Sequence, residues 1–120
     1  MSSASGIAQS GLLVAALSID VSANNVANAL TEDFTPSHVV PADVAGGGVT
    51  ADVEPVPDAR LGRDPMDEVR ADRALLVPDR VDLVQEIVNQ ARAAAVYEAN
   101  LATLRTATEL EETLVDALGK

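Results

Sequence analysis

The stretch VDLVQEIVNQARAAAVYEANLATLRTATELEETLVDAL, residues 81–118, decides the fold. Apolar and small residues recur in it at spacings of four and three. One column reads Leu83, Gln90, Tyr97, Leu104, Glu111 and Leu118; the other reads Ile87, Ala94, Leu101, Thr108 and Val115. That spacing lays both columns on one face of an α-helix and forms the seam of a coiled coil. At about 1.5 Å per residue the helix is roughly 55 Å long. A globule of 120 residues does not bury a stripe of that length alone. The helix therefore requires partners.

Upstream of this helix, Pro78-Asp79 marks its start, with Asp79 or Asp82 available as the N-cap. From Glu54 to Asp79 the chain is rich in Pro, Asp and Arg without periodicity, which predicts loop or extended chain. Ser37–Val40 and Val49–Val53 gather β-branched residues on either side of Gly46-Gly47-Gly48 and predict a short two-stranded hairpin. Thr31 to Pro36 combines turn formers with a proline and closes whatever helix precedes it. Before that, Ser5 to about Ala29 reads as a second helix. Its columns are Ile7, Val14 and Val21, with Gly11, Leu17/Ser18 and Asn24/Asn25 between them. Glycine, serine and asparagine lower its helix propensity, so it needs packing to persist. The expected fold is mainly α. Long N- and C-terminal helices (segments 1–35 and 79–120) pack as a coiled-coil-like pair around a short β-hairpin and loop insert (36–78).

Composition agrees with side-by-side helices. Apolar residues make up 48% of the chain but aromatics only 2%, with one Phe, one Tyr and no Trp. A net charge of −11 excludes the basic stripe that nucleic-acid binding needs. The first thirty residues carry Asp20 as their sole charge, so the acidity lies in the insert and the C-terminal helix. With no cysteine, disulfides and thiolate metal sites are impossible. The apolar run Leu12–Leu17 follows no Lys or Arg and is too short to span a bilayer, so neither a cleaved signal peptide nor a membrane-spanning segment is expected.

Catalytic chemistry finds no footing. His38 stands without a second His or any Cys and reads as a surface residue on a strand edge. Glu109, Glu111 and Glu112 read as a solvated helix face, and Asp52, Glu54 and Asp58 as loop carboxylates. The triple glycine is not followed by Lys-Ser/Thr and is no phosphate loop. No enzyme, cofactor or metal is expected.

Two stretches carry a specific signal. Near the end of the first helix, Ala23, Asn25, Asn28, Thr31 and Phe34 fall in an A-x-N-x-x-N-x-x-T-x-x-F pattern, with Asn24 also present. Capping by asparagine explains one amide there but not three. In the second helix, Val81, Asp82, Val84, Glu86 and Val88 form V-D-x-V-x-E-x-V. Tyr97-Glu98-Ala99-Asn100 and then Thr106, Ala107 and Glu109 follow it. In this order the two stretches resemble the flagellar axial protein family, most closely the proximal-rod proteins of the basal body, over about residues 5–34 and 75–118. The chain departs from the family's pattern at Asp33, where glycine is frequent, and at Ala95, where arginine is usual. Its insert is short, as in the smallest rod proteins.

The resemblance implies a structural subunit. It would leave the cytoplasm through the flagellar type III export apparatus without a cleaved signal. It would then assemble helically with itself and other rod subunits in the periplasm. On that reading Leu83, Ile87, Ala94, Tyr97, Leu101 and Leu104 form the inner seam with Ile7, Val14, Leu17 and Val21. Asn25, Asn28 and Asn100 make polar contacts that fix register between subunits. A cytoplasmic coiled-coil adaptor forming a closed homo-oligomer is the alternative; it accounts for the heptads and leaves the asparagine cluster unexplained. Replacing Leu101 with Asp is expected to abolish assembly while leaving expression intact, as read by sedimentation of purified protein; normal growth of assemblies would remove Leu101 from the seam.

Overall fold

A computed structural model describes residues 3–57 and 80–119. Helix α1 spans Ala4–Ala27, strand β1 Ser37–Asp43, strand β2 Val49–Pro55, and helix α2 Leu83–Leu118. The mainly α fold with a hairpin between two long paired helices is as the sequence predicts. The expected loop lies outside the described residues from residue 58 to 79, and so does Asp79 as a candidate cap.

Each helix starts on a side-chain cap. Ser3 Oγ accepts from the Gly6 N–H at 3.2 Å, and Asp82 Oδ1 accepts from the Val84 and Gln85 N–H groups at 3.0 Å each. These bonds satisfy donors that the first helical turn leaves free. The strands pair antiparallel, from Ser37 opposite Pro55 to Asp43 opposite Val49. Both run two or three residues beyond the predicted segments, through Pro41, Pro55 and charged residues. A two-stranded ribbon has only edges, where proline is tolerated. Its turn holds Gly46, Gly47 and Gly48 at φ of 99°, 105° and 96°. Three consecutive left-handed residues require glycine. At Gly48 a further reason applies: a Cβ would come within 2.8 Å of Ser10 Oγ, which accepts from the Val49 N–H at 3.0 Å.

The helices pack antiparallel, and the seam corrects the sequence reading by one residue. On α1 the buried positions are Ala8, Gly11, Ala15, Ser22, Asn25 and, just past the helix, Ala29. The column with Gly11, Ser18 and Asn25 is the predicted one; the other is Ala8, Ala15, Ser22 and Ala29 rather than Ile7, Val14 and Val21. On α2 the buried pair is Ala93 and Ala107, with Glu86 and Asn100 half-buried in the same column. Ile87 and Ala94, predicted one place over, are exposed, Ile87 at 63%. Leu101 is half-buried beside the seam, as is Leu104 within the second column, while Leu83 and Tyr97 stand largely exposed.

Backbone proximity causes the shift. A Cβ on Gly11 would lie 2.6 Å from Asn100 Oδ1, so the helices touch where Gly11 has no side chain. Helix axes come close only where the residues between them are small. Alanine, serine and glycine fill the seam, and leucine, isoleucine and valine are displaced to its flanks. Ile7 and Val14 turn instead toward the hairpin. The Ile7 Cδ1 lies 3.0 Å from a Cβ placed on Gly47, and Val14 and Leu17 border Val49, Thr50 and Ala51.

Among the described residues the buried apolar side chains are Ala8, Ala15, Ala29, Val81, Ala93 and Ala107. Since apolar burial contributes roughly 25 cal/mol per Å², a core of alanines and one valine holds the helix pair weakly. Helix α1 is also long and apolar enough to cross a membrane by length and composition, with 24 residues and a hydropathy of 1.4.

Gly11→Ala gains about 1 kcal/mol of helix propensity but forces Asn100 aside, and overpacking of this kind costs about 1–3 kcal/mol. Adding Asn100→Ala removes the clash and keeps the gain. Thermal unfolding should find the double variant more stable than Gly11→Ala alone, with a coupling of about 1 kcal/mol. Strict additivity would mean that the two helices do not meet at this point.

Candidate functional site

The asparagine cluster at the end of α1 resolves into two devices. Asn28 closes the helix: its Nδ2 donates to Asn24 O and Asn24 Oδ1 at 3.0 and 2.9 Å, and its Oδ1 accepts from Thr31 Oγ1 at 3.2 Å. The backbone then turns through Thr31 N–H to Asn28 O and Phe34 N–H to Thr31 O. Asp33 sits in that turn at φ 57°, the left-handed region. Aspartate tolerates this region better than most residues, and glycine best. The preference for glycine at this place in the resembled pattern thereby has a backbone cause.

Asn25 does something different. It is 1% exposed and is the largest fully buried side chain among the described residues. Its Oδ1 accepts from the Ser37 N–H at 3.0 Å, while its Nδ2 donates to Ser37 O at 2.7 Å and to Glu86 Oε1 at 2.9 Å. One amide thus engages both backbone groups of the first residue of β1 and a carboxylate of α2. Ser22, one turn earlier, donates from Oγ to Glu86 O at 3.0 Å. Beside this node Arg80 Nη1 reaches Phe34 O at 3.5 Å, and Val81 is buried.

Of the residues predicted to join subunits, Asn25 is buried and makes its hydrogen bonds within the chain. Asn28 bonds within its own turn, and Asn100 Nδ2 donates to Val96 O at 2.9 Å. Asn100 sits against Gly11 in the intrachain seam. The sequence reading missed Ser22, Ser37 and Glu86 as Asn25's setting. The signal for Glu86 was present, since it lies in the V-D-x-V-x-E-x-V run; nothing in the spacing named its partner. His38, expected at the surface, is half-buried, and its Nδ1 is enclosed without a hydrogen-bond partner.

A second feature is apolar. Along α2, Val84, Ile87 and Val88 lie exposed on the flank and back of the helix, and Leu110, Leu114, Val115 and Leu118 follow at its far end. On α1, Leu13 is exposed away from α2, and Leu30 in the following turn is 80% exposed. Scattered surface leucines are ordinary, but at each end of α2 the exposed residues recur at helical spacing and form a local apolar stripe. Among the described residues no group of three or more His, Asp or Glu side chains is placed to hold a metal ion. The arrangement offers a polar lock between α1, β1 and α2, and apolar stripes that no described element covers.

No family model and no curated protein matches the chain.

Asn25→Ala leaves the Ser37 N–H, the Ser37 carbonyl and the Glu86 carboxylate without their partner, at about 1–3 kcal/mol for each group left buried. Urea unfolding should register a loss of at least about 3 kcal/mol. Asn25→Asp, equal in size but without the Nδ2 donor, should lose nearly as much at neutral pH. An Asp variant as stable as the parent would show that shape, and not hydrogen bonding, holds the node.

Proposed function

We propose that the chain is a structural subunit of the bacterial flagellar basal-body rod, assembling helically with itself and related subunits to line the export channel and transmit torque. The observation that carries this reading is the bond between Asn25 Nδ2 and Glu86 Oε1 at 2.9 Å. The resemblance to axial proteins rests on two motifs, one near each end of the chain. Asn25 belongs to the first and Glu86 to the second. One residue of each motif thus meets the other in space. A chance match of two separate patterns gives no reason for their members to be hydrogen-bonded partners.

The uncovered stripes supply the driving force. The apolar residues that the intrachain seam fully buries are small, so most of the larger apolar side chains of α2 remain for contacts between subunits. On this reading Leu83, Ile87, Ala94 and Leu101 serve a neighbouring copy rather than α1. Ordering of α1 is completed by burial between subunits, which offsets the entropy of fixing it. A chain whose own core is this slight passes readily through an export apparatus in unfolded form. The subunit remains in the periplasm, reached without a cleaved signal peptide.

Hydrogen–deuterium exchange of the purified chain, followed with its mass across concentration, tests the reading. The α1 amides should exchange quickly in the monomer and slowly in open-ended assemblies. An oligomer of constant size with protected ends would instead establish the closed coiled-coil adaptor. Ile87→Asp, at a position exposed in the isolated chain, should change monomer stability by no more than about 0.5 kcal/mol. It should nevertheless stop growth of the assemblies.

A further inference from the structure

Two features border the seam and the polar node. The first is a cleft of about 610 Å³ between α2 and the hairpin, floored by α1. Its walls include Val14, His38, Val39, Arg92 and Val96. Glu86, the acid in the wall, already accepts from Asn25.

The second feature is the far end of α2. Helix α1 begins at Ala4, and Ser5 Oγ donates to Glu111 Oε1 at 2.9 Å. Beyond that bond α2 runs on to Leu118 with no described element beside it. Leu114, Val115 and Leu118 are 59%, 68% and 78% exposed there. The last turn itself carries no basic residue, and Lys120 follows it in the sequence. Glu111, Glu112 and Asp116 give this end negative charge.

We propose that the C-terminal end of α2 from a second copy of this chain docks into the cleft between α2 and the hairpin. The proposal rests on the assembly reading and specifies its contact. Leu114 and Leu118, one turn apart on one face, form a ridge that packs against Val14, Val39 and Val96. Arg92 meets the negative helix end and the Glu111 carboxylate, supplying the cation that the last turn lacks. A second copy is the occupant because the cleft's apolar walls and cation match the apolar, acidic helix end carried by the same chain. The two surfaces are different and lie on different parts of the molecule. The contact is therefore heterologous and adds subunits without limit unless it closes into a ring.

The chain has no cysteine, which permits a clean cross-linking test. One preparation carries Val39→Cys in the cleft and another Leu118→Cys at the helix end. On mild oxidation the mixed pair should form an intermolecular disulfide about tenfold more than either alone, and a chain with both should give a ladder of oligomers. As a check independent of cysteine, Arg92→Glu should weaken association about tenfold, and Glu111→Arg in the same chain should restore it. Like-with-like disulfides in place of mixed ones would overturn the contact. So would full association of Arg92→Glu, or open-ended growth without the mixed disulfide, and these leave the assembly reading standing. A chain that stays monomeric, or stops at a closed oligomer, overturns both.

Discussion

The bond set around Asn25 is the constraint on which the other parts of the fold depend. A two-stranded ribbon is marginal by itself, and a helix with Gly6, Gly11 and several serines is little better. The Asn25 amide ties both to α2 by engaging Ser37 on two sides and Glu86 on a third. Buried polar groups of this kind contribute little net stability when satisfied and a large penalty when not. Their effect is to select one arrangement. Ser37 meets its bonds only when β1 starts beside the last turn of α1. Glu86 meets its own only when α2 lies in one register against α1. The node therefore fixes the hairpin and the helix pair together.

Given that register, the choice of residues in the seam follows. Gly11 faces Asn100 at a separation that excludes any side chain, and alanines fill the adjoining places. Close approach increases dispersion contact along the backbone but leaves little side-chain area to bury. Among the described residues stability comes from many small contacts and a few oriented polar ones, without a hydrophobic core of ordinary size.

This explains which parts of the fold were legible in the sequence. Helix existence and pairing were readable because residues 81–118 sustain one period over ten turns. The hairpin was readable from its glycines and β-branched residues. The facing column was not. Both helices carry apolar residues on several faces, and a shift of one residue rotates the pattern by only about 100°. Weighting columns by hydrophobicity chose Ile87 and Val14, whereas backbone proximity chose Ala93 and Ala15. The signal that finds the true seam is smallness: Ala8, Gly11, Ala15, Ser18 and Ser22 keep heptad spacing as faithfully as the larger residues do. At the node, the asparagine cluster was visible as an anomaly, but Ser37 and Glu86 were out of reach. Pairings across twelve and sixty-one positions leave no local trace.

The two kinds of stripe bear on assembly in opposite directions. Had the leucines and isoleucine of α2 filled the intrachain seam, the monomer would be self-sufficient and its outer surface polar. Placing small residues inside leaves the strongest apolar contacts unmade in a single copy. On the assembly reading, the free energy of burying them would be released only when a neighbour arrives, which would couple order to association. Polar contacts fix geometry within the chain, and apolar contacts would then supply affinity between chains. That division would let one sequence remain loosely held as a monomer yet present a defined surface to the next copy.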